Sequence, residues 1–431
     1  MLVSFSINNV KSFRQWKEFS LLSPSKTQES QDHEVNEGRL TILKNAGIFG
    51  ANASGKSNLV KAFSVAKEFV IAGRISERNI EFLDDKGKPT SFSFVFLIDE
   101  VLYSYGFIIK PSGIISNYFI EDESLCVLNK DGSVKTTIYS KSEKAFSGDT
   151  HPVLKVFYNR FFSSANLLFL TYMNTPDKVV SDNKTSVIMK RIFDFFLFDL
   201  VVVDSFNNNY SIINDTNIDN IAKKLKEYDT GIETATFEKD ERQDFLKQIP
   251  PQLLNVLLSD PNSDKLSIAN EDELICINKG TGGINDVQKL VIHHKNIQSP
   301  FSFHDESHGT KRMFYLIGLL FGGKLDNKVF VIDEIEKGCH PNLITQLIID
   351  FQNYNKNSNA QLIFTSHLSS LMEDVLRKDE VFFVEKDNSG VSNIYSLLDY
   401  KDRTTTISKR YLEGRFGAVP KLGVAIDASD I

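Results

Sequence analysis

Residues 50–57, Gly-Ala-Asn-Ala-Ser-Gly-Lys-Ser, satisfy the spacing G-x-x-x-x-G-K-[ST] without departure. The pattern demands a strand before it and a helix after it, and the sequence supplies both. "LTILKNAGIF" is an apolar run ending at Gly50, and Ser57 to about Ala72 carries a helical stripe of Leu59, Val60, Phe63, Ala66 and Val70. Gly50 and Gly55 let the loop curl until backbone N–H groups converge on phosphate oxygens. Lys56 supplies a point charge for β- and γ-phosphates, and the hydroxyl of Ser57 is placed for Mg²⁺. The binding set expected from this stretch is Gly50, Asn52, Ala53, Ser54, Gly55, Lys56, Ser57 and Asn58.

A triphosphate site also needs a metal carboxylate and a group to handle the attacking water. "KVFVIDEIE" provides a buried strand, Val329 to Ile332, ending in Asp333 as the metal carboxylate and Glu334 as the catalytic base. "QLIFTSH" is a second apolar strand, ending in Ser366-His367, and His367 is expected to hydrogen-bond the γ-phosphate. With Lys56, these residues make the catalytic set Glu334, His367 and Lys56. Upstream, "SFHDESHGTKRMFYLIGLL" joins a polar loop to an apolar helix. Ser307 and Gly309 there fit two readings equally: an anion site at a helix N-terminus, or an N-cap at Ser307 or Thr310.

The rest of the chain sets bounds. Its 431 residues exceed one ordinary domain, and 49 Lys+Arg against 56 Asp+Glu leave a net charge of −7, which disfavours a DNA-coating protein. The 34 Phe fall mainly inside apolar runs and read as core. Cys126, Cys276 and Cys339 stand far apart in no metal-ligand spacing, so reduced structural thiols are expected. The early charges of the N-terminus do not suit a signal peptide, and no run approaches ~18 apolar residues, so a cytoplasmic protein without a membrane span is expected. Leu2 to Ile7 and Trp16 to Leu22 read as strands, and residues 23–38 as a loop. Residues 90–150 alternate like an antiparallel meander. Residues 180–300 read as helical and polar, with "SVIMKRIFDFFLFDL" and "NIDNIAKKLKEY" as helices and a break at Pro250-Pro251.

In this order the motifs resemble the ATP-binding-cassette ATPases, and among them the SMC-, Rad50- and RecF-like heads. The resemblance rests on Gly50 to Ser57, the signature-like "ESHGTKR" at 306–312, the "VIDE" strand and His367. "INNVKSF" at 7–13 is similar to the opening of these heads, which implies that Lys11 and Ser12 lie near the nucleotide. The closing "TTTISKRYLEGRFGAVPKL" at 404–422 is similar to compact bacterial ATPases of the AAA15 type, including the ATPase halves of AbiLi-, RloA- and PARIS AriA-like phage-defence pairs. The signature departs from Leu-Ser-Gly-Gly-Gln. No Q-loop glutamine is evident; Asn174, in "LLFLTYMNT", is a substitute candidate.

The resemblance implies an α/β P-loop NTPase of the ABC-ATPase type: a mixed central sheet, an antiparallel β-subdomain and a helical insert. The expected division is 1–180 for a first ATPase lobe, 181–300 for the insert or lid, and 301–431 for a second lobe. It implies ATP and Mg²⁺ as ligands. It further implies a head-to-tail dimer, possibly a higher oligomer, in which Ser307 and Gly309 of a second copy close over the γ-phosphate. A regulatory ATPase of an abortive-infection system is expected, acting with a separate effector, toxin or nuclease subunit and triggered by DNA or a phage protein. The alternative is a RecF/SMC-like ATPase that binds DNA in repair or recombination; a transporter subunit fits the motifs poorly.

Overall fold

A computed structural model of the chain describes residues 1–23, 32–37, 40–75, 80–112, 118–142, 146–148, 161, 167–174, 184–204, 211–213, 218–239, 265–269, 274–280, 283–400 and 406–420. Strands β1 (Leu2–Asn8), β2 (Lys17–Ser20), β3 (Glu34–Glu37), β4 (Leu40–Leu43) and β5 (Asn45–Phe49) lead into helix α1 (Lys56–Ala72). The single apolar strand expected before Gly50 is therefore two strands, and β3 occupies part of the expected loop at 23–38. The meander follows as β6 (Thr90–Ile98), β7 (Val101–Pro111), β8 (Tyr118–Leu128), β9 (Val134–Ser142) and β10 (Phe146–Gly148). With β1 and β2 it makes a seven-stranded antiparallel sheet in the order β10-β9-β8-β7-β6-β1-β2.

After the short helix α2 (Phe169–Met173), helix α3 (Lys184–Asp194) runs through one π-helical turn at Phe195–Asp199 into β11 (Leu200–Val203). Beyond it lie β12 (Ser211–Ile213), α4 (Ile218–Glu227), β13 (Ile232–Lys239), β14 (Lys265–Ala269), β15 (Leu274–Gly280), β16 (Gly283–His294) and β17 (Phe301–Ser302). These strands form a third, antiparallel sheet, β12-β14-β15-β16-β13, with β17 paired to β16. The helical insert expected over 181–300 is thus corrected. Among the described residues its centre is a β-sheet carrying one helix, α4. Its start is corrected too, because β11 pairs in parallel with Val329–Ile332, in the sheet of the flanking lobes. Pro250 and Pro251 lie outside the described residues, as do 404, 405, 421 and 422 of the closing segment.

Helix α5 (His308–Phe321), β18 (Val329–Ile332), helix α6 (Pro341–Tyr354), β19 (Gln361–Thr365), β20 (Val381–Lys386) and β21 (Ser392–Ser396) complete the frame. The central sheet runs β11-β18-β19-β5-β20-β21, parallel except for its last pair. Alternation along β18 shows how the layers form. Val329 and Val331 join the apolar core shared with α1 and the antiparallel sheet; Phe330 and Ile332 join a second core with α5 and α6. The phenylalanines fill both. Phe5 of β1 stacks at 3.9 Å on Phe63 of α1 and at 4.5 Å on Phe94 of β6, and Phe330 meets Phe351 edge-on at 5.9 Å. No helix among the described residues is long and apolar enough to cross a membrane.

Candidate nucleotide site

Parallel strands β5, β18 and β19 end side by side, so their C-terminal ends bring the loops that follow them together. The phosphate loop follows β5, Asp333 and Glu334 follow β18, and Ser366 and His367 follow β19. Gly55 caps α1 with φ 115°, a backbone region that L side chains rarely adopt. A Cβ there would also sit 2.3 Å from Ser392 Oγ and 2.8 Å from Ser12 Oγ. Asn52 and Ala53 form the exposed tip, and Ser54, Gly55 and Lys56 are buried. The Lys56 ammonium donates to the carbonyls of Gly50 (2.7 Å) and Ala51 (3.1 Å), across the loop that would hold phosphates. Burial pulls its pKa down, while Asp333, Glu334 and Glu336 pull it up.

The Ser57 hydroxyl donates to Asp333 Oδ1 at 3.2 Å, although 276 residues separate them. Thr365 Oγ1 donates to the same oxygen at 2.6 Å and accepts the Glu334 N–H at 2.8 Å. Asp333 is fully buried, and its Oδ2 has no hydrogen-bond partner. A buried carboxylate oxygen left this way is costly unless a ligand completes it. The donors around it are all oxygens, the set a hard cation takes. Among the described residues no group of three or more His, Cys, Asp or Glu could cage a metal unaided. Mg²⁺ shared with substrate phosphates needs no such cage, so Ser57 and Asp333 fit the expected ion.

Glu334 is half-buried, in the left-handed region at φ 45°, a cost at a non-glycine residue that is characteristic of functional sites. His367 is exposed. Partial shielding from water and the Lys56 charge lower its pKa, against the opposing pull of Glu336, Glu334 and Asp333, which favours the neutral imidazole. It then offers one N–H donor and one acceptor nitrogen. The backbone N–H of His367 donates to Glu336 Oε1 at 2.6 Å.

Three supports were missed from the sequence. Ser392 donates its hydroxyl to the Ser54 carbonyl (2.6 Å) and shares a 2.7 Å hydrogen bond with Ser12 Oγ, which also accepts from Asn58 Nδ2 (2.8 Å). Ser12 therefore braces the phosphate loop and the start of α1. Lys11 takes φ 52° and donates its N–H to the Ile80 carbonyl. Thr365 and Glu336 are the other two. A hydroxyl ending an apolar strand and the second acid of Asp-Glu-Ile-Glu were the available signals.

Ser307 is an N-cap: its Oγ accepts the Thr310 N–H at 3.1 Å. Gly309 packs so closely on the turn after Asp333 that an added Cβ would lie 2.5 Å from the Gly338 carbonyl. Arg312, one helical turn on, donates to the carbonyls of Asp333 (3.0 Å) and Glu334 (3.3 Å). Asn174 is not brought to the site. Its amide donates to the Leu170 carbonyl within α2, and Thr171 of α2 donates to the Val70 carbonyl. Val70 is about 21 Å along α1 from Lys56 by helical rise. The buried Glu123 fixes α2 there by accepting the N–H groups of Phe169 and Leu170.

Residues 46–169 and 198–373 match the family described as "AAA domain, putative AbiEii toxin, Type IV TA system" (AAA_21). Among solved structures, the chain is similar to an SMC head bound to the C-winged helix domain of ScpA, at 13% identity and TM-score 0.44 over 92% of this chain and 97% of that one. It is also similar to the SMC head domain from Thermotoga maritima (13%, 0.36, 92% and 98%). A third is the Smc head with an extended coiled coil bound to the C-terminal domain of ScpA derived from Pyrococcus furiosus (12%, 0.41, 96% and 99%). No curated protein matches the chain.

Proposed function

Since the chain belongs to the AAA_21 family of P-loop ATPases, with matched segments in both halves of the sequence, we propose that it binds and hydrolyses ATP as a regulatory ATPase of an anti-phage, abortive-infection system. The observation that carries the ATPase reading is the convergence of Ser57 and Thr365 on the buried carboxylate of Asp333, beside Lys56 and Glu334. In this reading the phosphate loop holds the triphosphate, and Lys56 leaves the Gly50 and Ala51 carbonyls to meet its β- and γ-oxygens. Ser57 and Asp333 would hold Mg²⁺, which when bound would supply positive charge beside the phosphates. Glu334 polarises the attacking water, and neutral His367 hydrogen-bonds the γ-phosphate.

Ser307 and Gly309 of a second copy complete the site, so ATP joins two chains head to tail and hydrolysis releases them. The family description names a putative toxin of a type IV toxin–antitoxin system, which supports a two-protein system; in this reading the controlled partner is a separate toxin or nuclease, and DNA or a phage protein is the trigger. The test combines ATP turnover, ATP binding and size-exclusion chromatography. Lys56→Ala should lose ATP binding; Glu334→Gln should bind ATP, stop turnover and elute as a dimer. Wild-type turnover in Glu334→Gln would refute the assignment of the base. ATP-dependent DNA binding with a steep salt slope, and no protein partner on pull-down, would replace the defence reading with the DNA-repair one.

A further inference from the structure

Glu336 has no part in the chemistry above, yet its side chain turns into the site. The chain leaves β18 through a left-handed Glu334 and then a tight turn, in which Lys337 N–H donates to the Glu334 carbonyl and Cys339 N–H to the Glu336 carbonyl. Ile335 N–H donates to the Thr365 carbonyl, which pins this turn across the end of β19. Glu336 is thereby carried over the residues that follow β19. Its Oε1 accepts the His367 backbone N–H at 2.6 Å, a short charge-assisted bond between residues 31 apart. Its Oε2 is buried with no partner. A carboxylate serving only its own turn would bond to that turn; the oxygen of Glu336 that is engaged reaches the switch segment instead.

We propose that Glu336 is the positioning residue of the switch: its carboxylate clamps the main chain at His367 and so sets where the imidazole meets the γ-phosphate. The proposal rests on the ATPase reading for its consequence and on the Glu336–His367 bond for its geometry. The clamp joins two loops that have no covalent reason to move together. Without it, the bonds described for residues 366–368 are the Ser366 N–H to the Ile48 carbonyl of β5, the Leu368 N–H to Ser366 Oγ at 3.0 Å and the Leu371 N–H to the Leu368 carbonyl, none of which holds the His367 N–H.

Two variants separate clamp from charge. Glu336→Gln keeps an oxygen that accepts the N–H and loses the charge; Glu336→Ala loses both. The readouts are ATP affinity, kcat, and amide hydrogen exchange of the peptide spanning residues 363–370 in the full-length protein. Expected for Glu336→Ala are ATP affinity within about threefold of wild type, kcat lower by about tenfold or more, and exchange at least about tenfold faster. Glu336→Gln should restore protection and most of kcat. Equal exchange in wild type and Glu336→Ala overturns the clamp. A Glu336→Gln enzyme as slow as Glu336→Ala but fully protected overturns it in favour of a charge effect. A wild-type protein without turnover refutes the ATPase reading, and the exchange comparison still decides the clamp.

Discussion

Replacing Thr365 by Val tests how the Asp333 carboxylate is held. Thr365 is fully buried at the end of β19, and one hydroxyl serves two partners: it donates to Asp333 Oδ1 at 2.6 Å and accepts the Glu334 N–H at 2.8 Å. Valine fills nearly the same volume, so no cavity enters the account. A hydrogen bond to a charged group is worth about 1.5–3 kcal/mol, and stranding the half-buried Glu334 N–H adds about 1 kcal/mol. The expected loss is about 3 kcal/mol. Thr365→Ser keeps the hydroxyl and deletes a buried methyl, a cost of about 1 kcal/mol. Valine, the better steric mimic, should therefore be the worse replacement by about 2 kcal/mol. At about 2–4 °C per kcal/mol for a unit of 150–250 residues, its melting temperature should fall about 4–8 °C below that of Thr365→Ser. Turnover should follow the same order, because Asp333 loses a donor and Glu334 the contact that fixes its backbone. A Val variant that melts at or above the Ser variant would refute the idea that this hydroxyl holds the site.

Other expectations follow from the same geometry. Gly55→Ala places a Cβ 2.3 Å from Ser392 Oγ at φ 115°, so ATP affinity should fall by at least about tenfold, as read by calorimetry; adding Ser392→Ala removes the shortest contact but leaves Ser12 Oγ at 2.8 Å, Ser392 Cβ at 2.9 Å and the backbone strain, and should recover only part of the loss. Gln361→Met strands the Leu2 N–H and the carbonyls of Leu2 and Leu43, which Gln361 now satisfies at 2.7, 2.9 and 2.9 Å; a loss of about 3 kcal/mol or more is expected in urea unfolding, and a loss under 1 kcal/mol would contradict it. Lys67 is half-buried, and desolvation together with the charge of Lys328 lowers its pKa to about 8, against the pull of Asp199. Between pH 8 and 10 the unfolded chain then holds more protons at this position than the folded one, so its contribution to stability rises with pH. Lys67→Met should melt higher than wild type at pH 7.5 and gain less between pH 7.5 and 9.5; an equal gain in both proteins would refute the burial penalty.

The phosphate loop, Asp333 and His367 were legible because each follows an apolar strand, and parallel strands deliver their ends to one place whatever lies between them in sequence. The supports were not legible, because proximity creates them. Ser392 is 338 residues from the Ser54 carbonyl it bonds, and nothing local distinguishes it from any other serine. The inserted sheet was hidden for another reason. β15 and β16 pair Gly280 with Gly283, and the sequence Gly-Thr-Gly-Gly there is a hairpin signal, but Asn278, Asp286 and Gln288 make the flanking strands look like polar loop. That polarity is itself paired: Asn278 Nδ2 donates to Asp286 Oδ1 across the hairpin.

The inserted sheet is also wired to the signature-like loop. β16 ends at His294, whose Nε2 lies 2.5 Å from Glu306 Oε1, with both side chains largely buried. Glu306 immediately precedes Ser307, and β17 returns to pair with Val291 and Ile292 of β16. On the other side, Tyr228, just after α4, donates its hydroxyl to Asp350 of α6 at 2.7 Å, and Lys224 pairs with the same carboxylate. The sheet is therefore held at both ends to the layer that carries α5. From α5, Arg312 reaches the carbonyls of Asp333 and Glu334. Each contact is short and shielded from water, so an opening of the sheet against the head must break His294–Glu306 or carry Ser307 with it. If it carries Ser307, it shifts the helix whose arginine grips the backbone at Asp333 and Glu334. An insert placed here, immediately before the signature-like loop, cannot be mechanically silent.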